Sequence, residues 1–145
     1  MVPGRGGMVG RVARAGASLG LVAGLTAGAA VFRLVARSWP HRVAVEGGSM
    51  LPGLRPGDWL LVDREAYERR RPRPGQVVVL PDPREPDRLL VKRVAAVLAD
   101  GRLEVLGDAP MASTDSRTFG AVPAATVTGR AWARYWPPSR IGRVR

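Results

Sequence analysis

The chain of 145 residues has no cysteine and no asparagine, one histidine (His41), one glutamine (Gln76), one isoleucine (Ile141) and two phenylalanines. Without cysteine, disulfides and thiolate metal sites are excluded, and composition says nothing about redox compartment. With one histidine, a multi-histidine metal site is not expected, and neither metal nor other cofactor is called for. The scarcest informative residue is lysine. Of 23 basic residues only Lys92 is lysine, and it sits in the apolar run LLVKRV, residues 89–94. Arginine, alanine, glycine, proline and valine fill the missing places. That profile fits a GC-rich coding bias or the shedding of thermolabile amides. It also makes the one lysine conspicuous. Arginine stays protonated in any protein, whereas a buried lysine amine loses basicity and can act as a base. Chance survival of one lysine is the competing reading.

The length fits one domain with a small attachment. The net charge of +11 raises nucleic acid as a partner. Yet the arginines are scattered, with one cluster, RRRPRP at 69–74, inside a Pro-rich loop. No basic helix or aromatic stacking platform accompanies them, so no nucleic-acid partner is expected. The charge reads as solvated surface, with membrane lipid as one anionic neighbour.

Long apolar runs are also scarce. Residues 15–32, AGASLGLVAGLTAGAAVF, are the one extended charge-free stretch. This is near the lower limit for a spanning helix of roughly 17–25 residues, and Leu34, Val35 and Ala36 extend it. The expected layout is a basic tail at 1–14, a transmembrane anchor at 15–36, a folded domain at 41–136 and a frayed tail at 137–145. A cleaved secretory signal ending near Ala27-Gly28-Ala29 and a soluble helix are the alternatives. Gly16, Gly20, Gly24 and Gly28 would form one helix face suited to close packing against a partner helix. Flanking arginines nearly balance: Arg5, Arg11 and Arg14 precede the stretch, and Arg33, Arg37 and Arg42 follow it. The N-terminal amine tips the expectation towards a single-pass protein of the cell membrane with its domain outside the cytoplasm.

From residue 41 the texture changes. HRVAVEG, DWLLVD, GQVVVLPD, DRLLVKRVAAVL, GRLEVLGD and ATVTGRAWARYW are short apolar runs bounded by Gly, Pro and Asp. They read as strands, with ADGR at 99–102 as a hairpin turn. The expected fold is mainly β, a small barrel or a pair of curved antiparallel sheets.

The densest candidate for chemistry is VEGGSMLPGLRPGDWLLV, residues 45–62. Gly47 and Gly48 permit a tight turn that exposes the Ser49 hydroxyl and its own backbone N–H, a candidate oxyanion donor. GGS also reads as an ordinary turn. A serine nucleophile needs a base. His41 is one candidate, but it has no evident carboxylate to orient it. Lys92 is the other, since serine–lysine pairs are a recognised variant of nucleophile and base. Burial among Leu89, Leu90, Val91 and Val94 would favour the neutral amine. Arg93 should point to the opposite face of the strand.

Three boxes occur in order: G-x-SM-x-P-x-L-x-x-GD at 47–58, KRV at 92–94, and GD-x-x-x-x-S-x-DSR-x-x-G-x-VP at 107–123. They resemble the type I signal peptidase family of serine–lysine proteases, over about residues 43–131. The resemblance implies a signal-peptidase-like β-fold with an N-terminal transmembrane helix. It implies Ser49 as the acylated nucleophile, with its backbone N–H as oxyanion donor, and Lys92 as general base. Ser113 would orient the lysine amine, and Asp115 and Arg117 would form a buried structural ion pair. Gly47, Met50, Pro52, Gly57 and Asp58 belong to the nucleophile box. Val43, Val45, Leu89 and Val91 would hold an extended substrate by strand addition, with small residues next to the scissile bond. The implied partner is a precursor protein carrying an N-terminal signal or leader peptide.

The chain departs from the family pattern at Gly53, where threonine is common, and at Ala109-Pro110-Met111, which replaces a polar run. Gly47 stands where some members place an oxyanion serine. Only residues 95–106 separate Val94 from Gly107, so a large accessory domain is missing. The compact form and the RYWP ending also resemble the maturation proteases of nickel-type superoxide dismutase, a branch with the same chemistry. Autocleaving repressors share a serine–lysine pair but need a DNA-binding domain. A non-enzymatic, membrane-tethered β-module is the broader alternative.

Overall fold

The computed structural model describes residues 41–145. The expected basic tail, the anchor and the glycine face lie outside these residues. Among the described residues, no helix is long and apolar enough to cross a membrane.

The six apolar runs form six strands: β1 (His41–Ala44), β2 (Trp59–Asp63), β3 (Val77–Asp82), β4 (Glu85–Val97), β5 (Leu103–Leu106) and β6 (Gly129–Trp136). A two-residue strand, β7 (Gly142–Arg143), completes the sheet. All pairings are antiparallel. The strand order is β1-β2-β6-β3-β4-β5, and β7 adds to β6.

The residue patterns explain the placement. In β2 the apolar Leu60 and Val62 are buried while Trp59 and Asp63 face outwards, the alternation of a half-buried strand. The uninterrupted VVVL of β3 has another cause, because both of its faces are covered. Val77 and Val79 join Met50, Leu54, Leu60, Val62 and Ala131 in one core. Val78 and Leu80 join Leu90, Val94, Leu103, Val105 and Val122 in a second, on the other face. Each fully buried Val or Leu contributes about 1.5–3 kcal/mol. The β4–β5 hairpin turns at 98–102, as ADGR predicts, with Gly101 at φ +84°, a conformation that favours glycine.

Residues 137–145 are not a frayed tail. Pro138–Arg140 forms a short 3-10 turn. β7 then pairs with Ala133 and Arg134, and the Val144 N–H donates to the Trp132 carbonyl. Val144 also packs on the first core. The segment escaped notice because two strand residues show no periodicity.

Candidate active site

The loop between β1 and β2 carries Ser49. Its base is closed by Val45 N–H to the Asp58 carbonyl (2.8 Å) and Gly57 N–H to the Val45 carbonyl (2.9 Å). Met50 and Leu54 plunge into the first core, so the half-exposed Ser49 rides on two buried anchors. The Ser49 carbonyl accepts from Ala109 N–H at 2.9 Å. That bond ties the loop after β1 to the loop after β5. These strands stand at opposite ends of the sheet order, so the sheet curls until its two ends meet at the serine. The Ser49 N–H has no hydrogen-bond partner among the described residues. A side chain at Gly47 would meet nothing within 4 Å among the described residues, so none of these imposes glycine there by crowding.

Gly107 is imposed. A Cβ at this position would lie 2.2 Å from Ser113 Oγ and 2.6 Å from the Ser49 carbonyl oxygen. Only glycine lets the first and third boxes approach this closely.

Lys92 comes from β4, opposite Val78 of β3. It is 2 % exposed. Its neighbour Arg93 points the other way and grips Asp108 with two hydrogen bonds of 2.8 and 2.6 Å. The Lys92 amine donates to Ser113 Oγ at 3.1 Å. Ser113 in turn donates to Asp115 Oδ2 at 2.5 Å. Asp115 is fully buried and also accepts from Gly107 N–H, Arg117 N–H and the Arg117 guanidinium. Those donors, the guanidinium first, hold its carboxyl well below the ordinary range against the opposing effect of burial. Burial is also the main cause that pushes the Lys92 amine down. Arg88 and Arg117 reinforce it, while Asp115 and Asp82 oppose it.

This chain of donors fixes the lysine's chemistry. An ionised Asp115 is acceptor-only, so it claims the single hydroxyl proton of Ser113. Ser113 Oγ can then only accept from Lys92. A neutral amine so held donates one hydrogen to Ser113 and keeps its lone pair for another group. Ser49 and Lys92 line the same cleft, but no direct hydrogen bond joins them among the described residues.

That cleft has a volume of about 600 Å³ and runs between β1 and the first half of β4. Val43, Val45, Leu89 and Val91 all line it. Among the described residues, β1 pairs only with β2, and β5 pairs with β4 only from Arg93 onwards. The facing edges of β1 and of β4 up to Lys92 are therefore both unpaired by strands. Asp82, buried at the end of β3 and bonded to Arg84, also lines the cleft and was missed by sequence reasoning.

One expectation needs correction, and His41 and Asp58 each gain a setting that the sequence did not show. His41 lies at the start of β1, its Nε2 against the Arg64 guanidinium, and does not line the cleft. The Asp115–Arg117 pair is buried on one side only, since Arg117 is 42 % exposed. Asp58 is more than a box residue: it is buried and bonded to Arg134 and Arg140, which no motif flagged. Among the described residues, no group of acidic or histidine side chains is arranged to hold a metal ion.

The curled antiparallel sheet thus brings a serine loop and a buried lysine to one cleft. The family model described as "Signal peptidase, peptidase S26" matches residues 18–100 and 96–136. The chain is 33 % identical over 123 residues to the mitochondrial ATP-independent inner membrane protease subunit 1a of Arabidopsis thaliana, covering 70 % of this chain and 73 % of that one. It is 32 % identical over 121 residues to the mitochondrial inner membrane protease subunit 2 of Danio rerio, covering 69 % and 66 %. A probable signal peptidase I-1 of Synechocystis is 24 % identical over 143 residues. The chain belongs to the type I signal peptidase family.

Proposed function

We propose that this protein is a membrane-anchored serine endopeptidase that removes N-terminal signal or leader peptides from precursor proteins. The observation that carries the reading is the buried Lys92 amine, hydrogen-bonded to a serine whose own proton is committed to Asp115, in the same cleft as Ser49.

The substrate enters as an extended strand between the free edges of β1 and β4, held by main-chain hydrogen bonds. Substrate binding or a Ser49 rotamer change brings the hydroxyl to the amine, since catalytic hydrogen bonds are often loose in a free enzyme. Lys92 takes the hydroxyl proton as Ser49 Oγ bonds to the scissile carbonyl carbon. The unpaired Ser49 N–H stabilises the resulting oxyanion. The protonated amine then gives its proton to the leaving nitrogen as the C–N bond breaks. A water, deprotonated by Lys92, attacks the acyl-serine, and Ser49 departs with that proton. Residues 15–36 tether the domain to the cell membrane, and the domain lies outside the cytoplasm.

The test uses the full chain in detergent with two peptides, one a secretory signal sequence and one a nickel superoxide dismutase leader. Cleavage after a small residue is expected for one of them, which also decides between the two substrate branches. Lys92→Arg and Ser49→Ala should each lower the rate by about 10³-fold or more. A Lys92→Arg protein that cleaves at a comparable rate sinks the mechanism.

A further inference from the structure

Residues 137–145 lie beyond the last residue matched by the family model. They nevertheless reach the loop that carries Ser49. Arg140, in the turn before β7, donates to Asp58 Oδ1 at 2.9 Å and to the Gly53 carbonyl at 3.2 Å. Arg134, from β6, donates to Asp58 Oδ2 at 3.2 Å and to the same carbonyl at 2.9 Å. Its Nε also holds the Arg140 carbonyl. Asp58 is 1 % exposed, and the two arginines are 17 % and 23 % exposed.

One buried carboxylate therefore faces two cations. The Gly53 carbonyl, accepting from both, absorbs the surplus of donors. Arg140 spans the two acceptors with Nη1 and Nη2, and Arg134 reaches both from Nη1 while its Nε holds the Arg140 carbonyl, an arrangement that a planar fork can make and an ammonium cannot make in the same geometry. Gly53 is four residues from Ser49. The next N–H, that of Leu54, bonds the Met50 carbonyl, so a grip on Gly53 is transmitted to the turn beside the serine. On the other side the Ser49 carbonyl is held by Ala109. The serine loop is thus pinned from both flanks, once by the third box and once by the C-terminal segment.

We infer that Arg140, together with Arg134, is a positioning residue for Ser49, acting through Asp58 and the Gly53 carbonyl to hold the serine loop in register with Lys92. The inference rests on Ser49 being the nucleophile. A plain fold staple would behave differently. It would lower the melting temperature and leave kcat of the folded protein unchanged.

The experiment compares the full chain with Arg140→Ala, Arg140→Lys and Arg143→Ala, well below their melting temperatures. Arg143 is exposed, lies three residues on in the same segment, and serves as the control. Arg140→Ala should lower kcat for leader-peptide cleavage by about 10- to 100-fold with KM within about twofold, as expected for a misplaced reacting group. Hydrogen exchange at residues 48–56 should accelerate by about tenfold or more, with β3 and β4 unchanged. Arg140→Lys should recover part of kcat, and Arg143→Ala should match the wild type. Unchanged kcat in folded Arg140→Ala, or faster exchange spread over the whole sheet, overturns the inference. Should Arg140→Ala not fold, Arg140→Lys and Arg134→Lys carry the same readouts, with loss confined to kcat and to the loop. A wild type that cleaves neither peptide defeats the protease reading alone. The exchange pattern then still decides whether Arg140 holds the loop.

Discussion

A lysine in water keeps its proton to about pH 10.4. Lys92 cannot, because burial penalises its charged form and Arg88 and Arg117 add to the penalty. Two consequences follow from that sign. Cleavage by a neutral amine rises with pH through the lowered Lys92 value, so the acid limb of the pH–rate profile should lie well below the ordinary lysine range. Stability moves in the same direction. Between the folded and unfolded values the unfolded chain binds more protons, so stability rises with pH across that window and is lowest below it. Lys92→Met keeps the stem and removes the charge. It should abolish cleavage yet raise the melting temperature at pH 7 by roughly 3–8 °C, the equivalent of about one kcal/mol in a domain of this size. The gain should fade as pH approaches 10.5. Calorimetry at pH 7 and pH 10 checks it, and a variant that melts lower at both would refute the burial argument.

At the scale of elements, the site depends on one close crossing, where the start of the loop after β5 passes the serine loop. Gly107→Ala should push Ser113 and the Ser49 carbonyl apart, since its Cβ has no room against either. We expect kcat to fall by about 100-fold, with strand structure retained by circular dichroism; activity within threefold of the wild type would show that the crossing yields. This crossing also marks how far the sequence could be read. The six strands were legible because their apolar runs are closed by Gly, Pro and Asp, and the double burial of β3 shows in VVVL. Lys92 was legible from composition. Ser113, Asp115 and Arg117 were legible only through the family resemblance, since STDSR alone reads as a polar turn. Arg134 and Arg140 were not legible at all. Their partner Asp58 lies some 80 residues away, and nothing in RYWPPSRIGRVR marks a residue that reaches back. β7 is too short to carry a pattern.

For the whole molecule, the curl of the sheet sets the terms of stability. Its two ends meet at the serine loop, so the candidate site and the fold share the same buried carboxylates. Asp115 and Asp82 are both fully buried, and arginine hydrogen bonds, the largest cause in each case, hold both below the ordinary carboxylate value. A carboxylate lowered on folding contributes stability that is present above the unfolded value of about 3.9 and is lost as pH falls through the folded one. The domain should therefore keep its melting temperature from neutrality to about pH 5 and lose it steeply below pH 4. Arg117 and Arg84 are each over 40 % exposed, so solvent screens part of both pairs. Asp115 is also held by less exposed donors, the Gly107 N–H and the Ser113 hydroxyl. Asp115→Asn keeps the shape but replaces one acceptor oxygen by a donor that must face those same groups. It should lower the melting temperature at pH 7 by about 5–10 °C and flatten the fall below pH 4. It should also cut kcat, because Ser113 loses the partner that forces it to accept from Lys92. A melting curve of Asp115→Asn that falls as steeply in acid as the wild type would place the acid lability elsewhere in the molecule.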